Sequence, residues 1–361
     1  MGNPFAKVKN SFGEYQAMSA SEKSTFRKEW LINNSLYIFL FIAFIGVTIS
    51  NPNFIKPASL INMLSLTAAN LPIAMGIAGT IVLTGTDLSA GRVVGLTACM
   101  SAAFLQASDY ASKMFPNLPQ LPMPVMILGT LLIVMLVGAV VGLVNGFSVA
   151  KFGLHPFIVT LATQLIVYGV LLIFTNLNGN NGAPISGLSN TYKELINGSV
   201  LSVGTVPIPN FVWYALVIAV LMWFIWNKTR FGKNMFACGS NPEAANVSGV
   251  NVAKNTMMVF TLAGIMYSIT GFIEAARIGS NSPATGANYE LDAIAACVIG
   301  GVSFVGGIGS IGGIVVGVLL LRIIFVGLTF LSVSANLQYI IKGAIILIAC
   351  AIDMRKYLVR K

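Results

Sequence analysis

Apolar residues in this chain form long continuous stretches instead of the alternating or one-sided patterns of a water-soluble domain. A helix that crosses a bilayer needs about 20 mostly apolar residues, and roughly ten stretches approach that length. We predict spans at 35–51, 60–83, 90–107, 123–148, 156–175, 212–227, 257–275, 291–306, 310–331 and 334–352. The third and eighth are short, which indicates broken or partly inserted helices.

The polar segments between these stretches are too short for a soluble enzyme domain. The chain is therefore predicted to be an all-α polytopic membrane protein, with one membrane domain at 34–352. A cytoplasmic segment at 1–33 precedes it, and a cytoplasmic tail at 353–361 follows it. The two longest loops, 176–211 and 228–256, fall on opposite sides of the membrane, outside and cytoplasmic respectively.

Composition supports a bilayer and excludes a nucleic-acid function. Of the 361 residues, 56% are hydrophobic and 9% are charged, and the mean hydropathy is +0.83. The net charge of +10 comes from basic residues that gather in alternate loops and at both ends of the chain. That distribution is typical of the positive-inside rule and places both termini in the cytoplasm. The four cysteines have no spacing typical of a metal site or disulfide, so they are predicted to be packing residues.

A weak internal repeat relates two polar segments more than half the chain apart. Asp87–Gly95 and Asp292–Gly300 share four identities in nine positions. Such agreement could arise by chance in so apolar a chain. Paired interrupted segments are nevertheless how many transporters build a central site, so we predict two pseudo-repeated halves with broken helices near the centre.

The segment Thr84–Arg92 places ionisable groups and hydroxyls between apolar stretches, where charges are costly and mark pathways. Thr86, Asp87, Ser89 and Arg92 are therefore candidates for a translocation path or gate. The alternative is that Asp87 caps the following helix. Arg92 either pairs with Asp87, although their spacing is not the i,i+4 of a helix face, or it faces a water-filled cavity.

A second polar group brackets the stretch 279–288 and consists of Glu274, Arg277, Tyr289, Glu290 and Asp292. Glu274, Tyr289 and Asp292 join the candidate path or gate. The stretch is predicted to dip toward the membrane or to lie at its outer face, where its carboxylates suit docking of a soluble partner, or it is an ordinary solvated loop. Arg322 falls inside the ninth span and needs a carboxylate, a wet cavity or a snorkelling position.

The cytoplasmic loop contains a local helix signal. Asn241 suits an N-cap, Pro242 the first helical position and Gly249 the stop, so 242–248 is predicted to be a helix of two turns. Such a helix between two spans is placed to press into another protein, or it is an ordinary capped loop helix. The candidate docking residues are Asn241, Pro242, Glu243, Ala244, Ala245, Asn246, Val247, Ser248 and Gly249.

Glycine spacing predicts close helix packing. Gly307–Gly312 fits the GxGxxG pattern of dinucleotide sites, but it lies between two spans and lacks the βαβ context. The better interpretation is helix packing by two sets with GxxxG spacing, within one chain or between copies: Gly138, Gly142, Gly146 and Gly309, Gly313, Gly317. His155 is the only histidine, and no catalytic or metal-ligand arrangement is predicted.

The chain resembles the permeases of bacterial sugar ABC importers, the family that includes ribose and galactose/methyl-galactoside permeases, over nearly its whole length. The motifs that carry the resemblance are Thr86–Gly91, Tyr289–Gly301, Thr229–Lys233, Gly239–Ala245 and Ser248–Gly249. The form Gly85-Thr-Asp-Leu-Ser-Ala-Gly-Arg92 is similar to the galactoside branch. Arg322 departs from the family pattern, which is mostly apolar there.

The resemblance implies a ten-helix permease of the bacterial inner membrane that forms a homodimer. It implies a tandem ATPase on the cytoplasmic face, which binds ATP and magnesium, and a periplasmic sugar-binding protein as donor. It identifies 241–249 as the coupling helix, and it implies that this chain binds no cofactor and does no covalent chemistry. Two other classes stay open: a proton-coupled carrier in which Asp87, Glu274 or Asp292 titrates, and a receptor-like anchor without transport.

Overall fold

The computed structural model describes residues 19, 23–24, 38, 41–42, 44–119 and 121–358, with side chains as far as 351. The predicted terminal segments at 1–33 and 353–361 therefore lie largely outside the described residues or side chains. Of the first predicted span, 35–51, the described part includes a helical segment at 44–50.

Helices dominate the described chain. A short 3₁₀ helix, Pro52–Ile55, leads into them. They are α1 Pro57–Val82, α2 Ala90–Phe104, α3 Met123–Phe152, α4 Pro156–Thr175, α5 Asn190–Asn197, α6 Asn210–Lys228, α7 Arg230–Ser240, α8 Pro242–Val247, α9 Val252–Ile278, α10 Tyr289–Ile299, α11 Ile311–Phe330 and α12 Ala335–Leu358. A second 3₁₀ turn, Leu177–Gly179, follows α4.

Six helices in the described part are long and apolar enough to cross a membrane, namely α1, α3, α4, α6, α9 and α11. The polytopic helical class is thus confirmed, while the total of ten crossings stays a prediction. The eighth predicted span, 291–306, was too long, because α10 ends at Ile299. Positive φ angles at Gly301, Gly306 and Gly307 turn the chain into an irregular loop there, a conformation that glycine adopts without steric cost.

The loop at 176–211 is more ordered than its turn-rich sequence indicates. It contains α5 and an antiparallel hairpin of strands β1 Ser199–Val203 and β2 Val206–Pro209. The hairpin turns at Gly204, whose φ of +63° lies in the left-handed region. The all-α expectation therefore needs this one correction: a small hairpin lies outside the helical bundle.

Helix α9 lies at the centre and packs against α3, α2 and α1. Gly138, Gly142 and Gly146 line the face of α3 that meets α9, where a methyl group at any of them would collide with backbone or side-chain atoms of α9. A methyl on Gly264 would likewise meet the carbonyl of Gly138. In lipid, close approach of this kind takes the place of the hydrophobic driving force between helices. This glycine face therefore packs within one chain.

The second glycine set also packs within the chain. Gly313 and Gly317 let α11 approach the end of α10, since added methyl groups would collide with backbone of Gly300 and Ala296. Gly309 lies against Val82 and Val302.

The internal repeat stays a prediction, because its two acidic residues take different positions relative to their helices. Asp87 lies three residues before Ala90, the start of α2, whereas Asp292 lies inside the first turn of α10.

Candidate functional site

Asp87 lies fully buried in the turn between α1 and α2 and is held by three hydrogen bonds. Oδ1 accepts from the backbone N–H of Ser89 at 2.9 Å and from the Ser89 hydroxyl at 2.6 Å. Oδ2 accepts from the hydroxyl of Tyr267 on α9 at 3.1 Å. The salt bridges found among the described residues do not include Asp87. The carboxylate thus depends on neutral donors.

Hydrogen bonds extend from Ser89 into two more helices. Asn145 on α3 donates to the Ser89 hydroxyl at 3.1 Å and accepts from Thr163 on α4 at 2.6 Å. Asn145 is fully buried, as are Ser89 and Asp87. Buried polar groups that are mutually satisfied rigidify a core. This network joins the turn before α2 to α3, α4 and α9.

Thr160 on α4 fixes the backbone of the same turn. Its hydroxyl accepts from the N–H of Leu88 at 3.1 Å and donates to the carbonyl of Thr86 at 3.0 Å. Asp87 was predicted to cap α2, but the N-cap residue of α2 is Ser89. Asp87 accepts a hydrogen bond from the backbone N–H of Ser89. Asp87 therefore orders the approach to α2 instead of capping its first turn directly.

Arg92 has other partners than Asp87. Its guanidinium donates to the carbonyl of Pro283 at 3.2 Å and lies 4.1 Å from the ring centre of Tyr168, a cation–π distance. The suggested Asp87–Arg92 pair is therefore wrong. Arg92 instead links α2 to α4 and to the stretch 279–288.

That stretch folds against the first turns of α2. Methyl groups added to Gly91 and Gly95 would collide with the carbonyl oxygens of Gly286 and Thr285. The N-terminus of α10 follows immediately, so two short helices begin next to each other. This arrangement resembles the discontinuous helices around which transporters build central sites.

The carboxylates of this region are buried, which corrects the expectation of an outward docking loop. Exposed fractions are 0% for Glu274, 4% for Glu290 and 8% for Asp292. Glu274 binds Arg277 through Nη2 at 2.7 Å and Nε at 2.9 Å. Oε2 of Glu290 has no hydrogen-bond partner among the residues described, and a methyl on Gly91 would collide with it. Tyr289 is half-buried at the start of α10.

Asp292 on α10 meets two cations. Nη2 of Arg322 on α11 lies 3.5 Å from Oδ2, and Nζ of Lys342 on α12 lies 2.5 Å from Oδ1. Of the three environments expected for Arg322, the carboxylate is thus present. Lys342 is a partner that the sequence did not identify, although a lysine inside an apolar stretch is itself a signal of a buried contact.

Helix α8 has the predicted caps on the other long loop. The Asn241 side chain accepts from the N–H of Ala244 at 2.9 Å, and Gly249 has a φ of +84° just past the helix. Val247 is 90% exposed, whereas Ala245 is buried at 5%. A groove of about 750 Å³ separates α8 from the end of α3 and the start of α9. Its position makes one face of α8 available to another protein.

Comparison with known proteins identifies relatives along nearly the whole chain. Residues 58–350 match the family described as branched-chain amino acid transport system / permease component. The galactose/methyl galactoside import permease protein MglC of Salmonella typhimurium is 45% identical over 344 residues, which cover 95% of this chain and 100% of that protein. MglC of Escherichia coli K12 is 44% identical over 344 residues, with the same shares covered.

A more distant relative is the ribose import permease protein RbsC of Escherichia coli K12. It is 33% identical over 339 residues, which cover 94% of this chain and 98% of that protein. No solved structure matches the chain.

Proposed function

This chain belongs to the family described as branched-chain amino acid transport system / permease component. We propose that it is the membrane subunit of an ATP-driven importer for galactose or methyl galactoside. The substrate is inferred from the difference in sequence identity between this chain and two kinds of full-length relative. The two MglC permeases are 45% and 44% identical to this chain, against 33% for RbsC. Ribose or another simple sugar is the second candidate.

The proposed topology places ten crossings in the inner membrane with both termini cytoplasmic. Basic residues near α7 and α8, among them Lys228, Arg230, Lys233 and Lys254, support a cytoplasmic position for that loop. The loop with the hairpin then faces the periplasm, where a sugar-binding protein delivers its ligand. We propose that two copies of the chain form a homodimer, since most soluble oligomers of one kind of chain are symmetric dimers.

ATP hydrolysis is assigned to a separate tandem ATPase that binds ATP and magnesium. We propose that α8 is the coupling helix, which docks on this ATPase and carries its motion into α7 and α9. The exposure of Val247 at the end of α8 supports a docking role for this helix. An apolar side chain that is 90% exposed can insert into a pocket of a partner protein. Glu243 is exposed on the same helix and adds charge to the contact.

The candidate path or gate comprises Thr86, Asp87, Ser89, Arg92, Glu274, Tyr289 and Asp292. In the conformation described, Asp87, Glu274 and Asp292 are engaged by hydroxyl or cationic donors. We propose that Asp87 positions the broken segment before α2, and that Asp292 holds α10 to α11 and α12 through its two ion pairs. The cationic partners of Glu274 and Asp292 disfavour the rival in which either of these two carboxylates carries a transported proton.

The substrate is tested by competition. Cells that produce the chain with its ATPase and binding protein are given labelled galactose, with unlabelled methyl galactoside or ribose in excess. Competition by methyl galactoside and none by ribose is expected. Competition by ribose alone, with weak galactose uptake, would replace the galactoside assignment by the ribose assignment.

A further inference from the structure

A small cavity of about 220 Å³ opens between α10, α11 and α12. Its charged lining consists of Asp292, Arg322 and Lys342, which form the two ion pairs described above. Phe325 and Tyr339 add aromatic walls, and Lys342 lies 5.1 Å and 5.5 Å from the centres of these two rings. The cavity therefore combines hydrogen-bond donors and acceptors with the flat apolar faces of two aromatic rings.

The position of the cavity in the helices limits what it faces. Arg322 lies in the middle part of α11, a helix of 20 residues that is otherwise apolar. The side chains of Arg322 and Lys342 keep 14% and 17% of their surface exposed. Charges in the hydrocarbon region are costly unless they face protein or a water-filled space. We therefore infer that the mouth of this cavity faces protein or water instead of lipid.

The pattern of donors and acceptors selects the class of ligand. Arg322 and Lys342 are donors only, and Nε of Arg322 has no hydrogen-bond partner in the described part of the chain. Asp292 is an acceptor when ionised. An anion would be attracted to the two cations, but both already contact the Asp292 carboxylate, which would repel it. A neutral polyol can accept from the cations and donate to Asp292 at the same time.

The volume also favours a small ligand. At about 220 Å³ the cavity is smaller than the roughly 300 Å³ at the lower end of pockets for drug-sized molecules. A single sugar ring has an apolar face of C–H groups that can lie on Phe325 or Tyr339, with hydroxyls at its edge for the charged groups.

We propose that the Asp292–Arg322–Lys342 cavity is a transit site for a monosaccharide within the membrane subunit. The proposal rests on the sugar-import function above and adds a binding location to it. Each charged group exchanges part of its contact with its neighbour for a contact with a sugar hydroxyl. Because the two states have similar hydrogen bonding, binding is weak, as a site that must release its ligand requires.

The test uses thiol labelling in the reconstituted importer with its ATPase and binding protein. Gln338 lines the cavity and is replaced by cysteine, and the matched control is Ile340→Cys on the same helix, whose side chain is 68% exposed on an apolar face. A charged, membrane-impermeant thiosulfonate reagent is added with and without galactose during ATP turnover. If Gln338→Cys does not accumulate, Tyr339→Cys, which is 60% exposed at the same cavity, replaces it.

The proposal predicts that the cavity cysteine reacts beyond the background of the four native free cysteines, measured on the unmodified chain, and that Ile340→Cys adds nothing to this background. Galactose should slow the reaction of the cavity cysteine at least about threefold, because bound ligand shields the thiol. Absence of reaction, or reaction at a rate that galactose does not change while the variant transports galactose, would overturn the transit site. Galactose uptake by each unlabelled variant is measured in parallel. Lack of uptake by the unmodified importer would instead contradict the sugar-import function itself.

Discussion

The hydroxyl of Tyr267 in α9 donates a 3.1 Å hydrogen bond to Oδ2 of Asp87, and both side chains are buried. This bond joins the central helix to the turn that precedes α2, across 180 positions of sequence. Asp87 is thereby fixed by three neutral donors from two parts of the chain. The bond makes Asp87 a positioning residue for α2 in this conformation.

Tyr267→Phe should destabilise the protein by about 1–3 kcal/mol, because a buried carboxylate loses a donor that no water replaces. Thermal unfolding in detergent measures the effect. Tyr168→Phe is the matched control, since it keeps the ring beneath Arg92, and it should change the unfolding temperature little. Equal unfolding temperatures for Tyr267→Phe and the unmodified protein would show that the bond contributes nothing to stability.

Arg92→Leu should not be rescued by Asp87→Leu, since the two side chains bind different partners. The losses of stability should add approximately, because no hydrogen bond or ion pair joins the two side chains. A double-variant cycle of unfolding free energies measures this. A double variant more stable than Arg92→Leu alone would instead show that Asp87 and Arg92 do interact in the unmodified protein.

Gly142→Ala should destabilise the α3–α9 contact by about 1–3 kcal/mol, because its methyl group would collide with the carbonyl of Phe260 and force the helices apart. The matched control is Gly129→Ala on the same helix, where a methyl group meets open space. That control should be neutral or slightly stabilising, since alanine favours a helix by about 1 kcal/mol. Equal unfolding free energies for the two variants would refute the packing argument.

Val247→Asp should weaken association with the ATPase by about tenfold or more and lower sugar uptake, while membrane abundance stays normal. The side chain is exposed, so the substitution leaves the packing of this chain intact, but it puts a charge into an apolar contact. Co-purification of the ATPase measures association. Val200→Asp, an 80% exposed valine on β1, is the control and should bind the ATPase normally. Normal association of Val247→Asp would remove α8 from the coupling contact.

The sequence predicted helices accurately where residues close to each helix determine its ends. Helix α4 occupies the predicted range, and α8 has the caps that Asn241, Pro242 and Gly249 indicate. Capping bonds span three or four residues, so their geometry can be inferred from spacing. The β-hairpin was missed because glycines and prolines dominate its neighbourhood and its strands are short.

Partners across the bundle could not be inferred in the same way. Asp87 and Arg92 are close in sequence and of opposite charge, yet they do not pair. Beyond its neighbour Ser89, Asp87 binds the distant Tyr267, and Arg92 contacts the distant Tyr168 and Pro283. Burial of Glu290 follows from how the stretch 279–288 folds onto glycines of α2. Spacing along one helix carries no information on such tertiary contacts.

ATP-driven import of a galactoside through this chain can be measured directly in proteoliposomes. Proteoliposomes that contain the chain and its ATPase, with binding protein outside and ATP sealed inside, are assayed for labelled galactose in the lumen. Accumulation should require internal ATP, fail when the ATPase carries a hydrolysis-defective substitution, and be unchanged by a protonophore. Accumulation that the protonophore abolishes and that proceeds equally without ATP would rule out ATP-driven import and favour proton coupling.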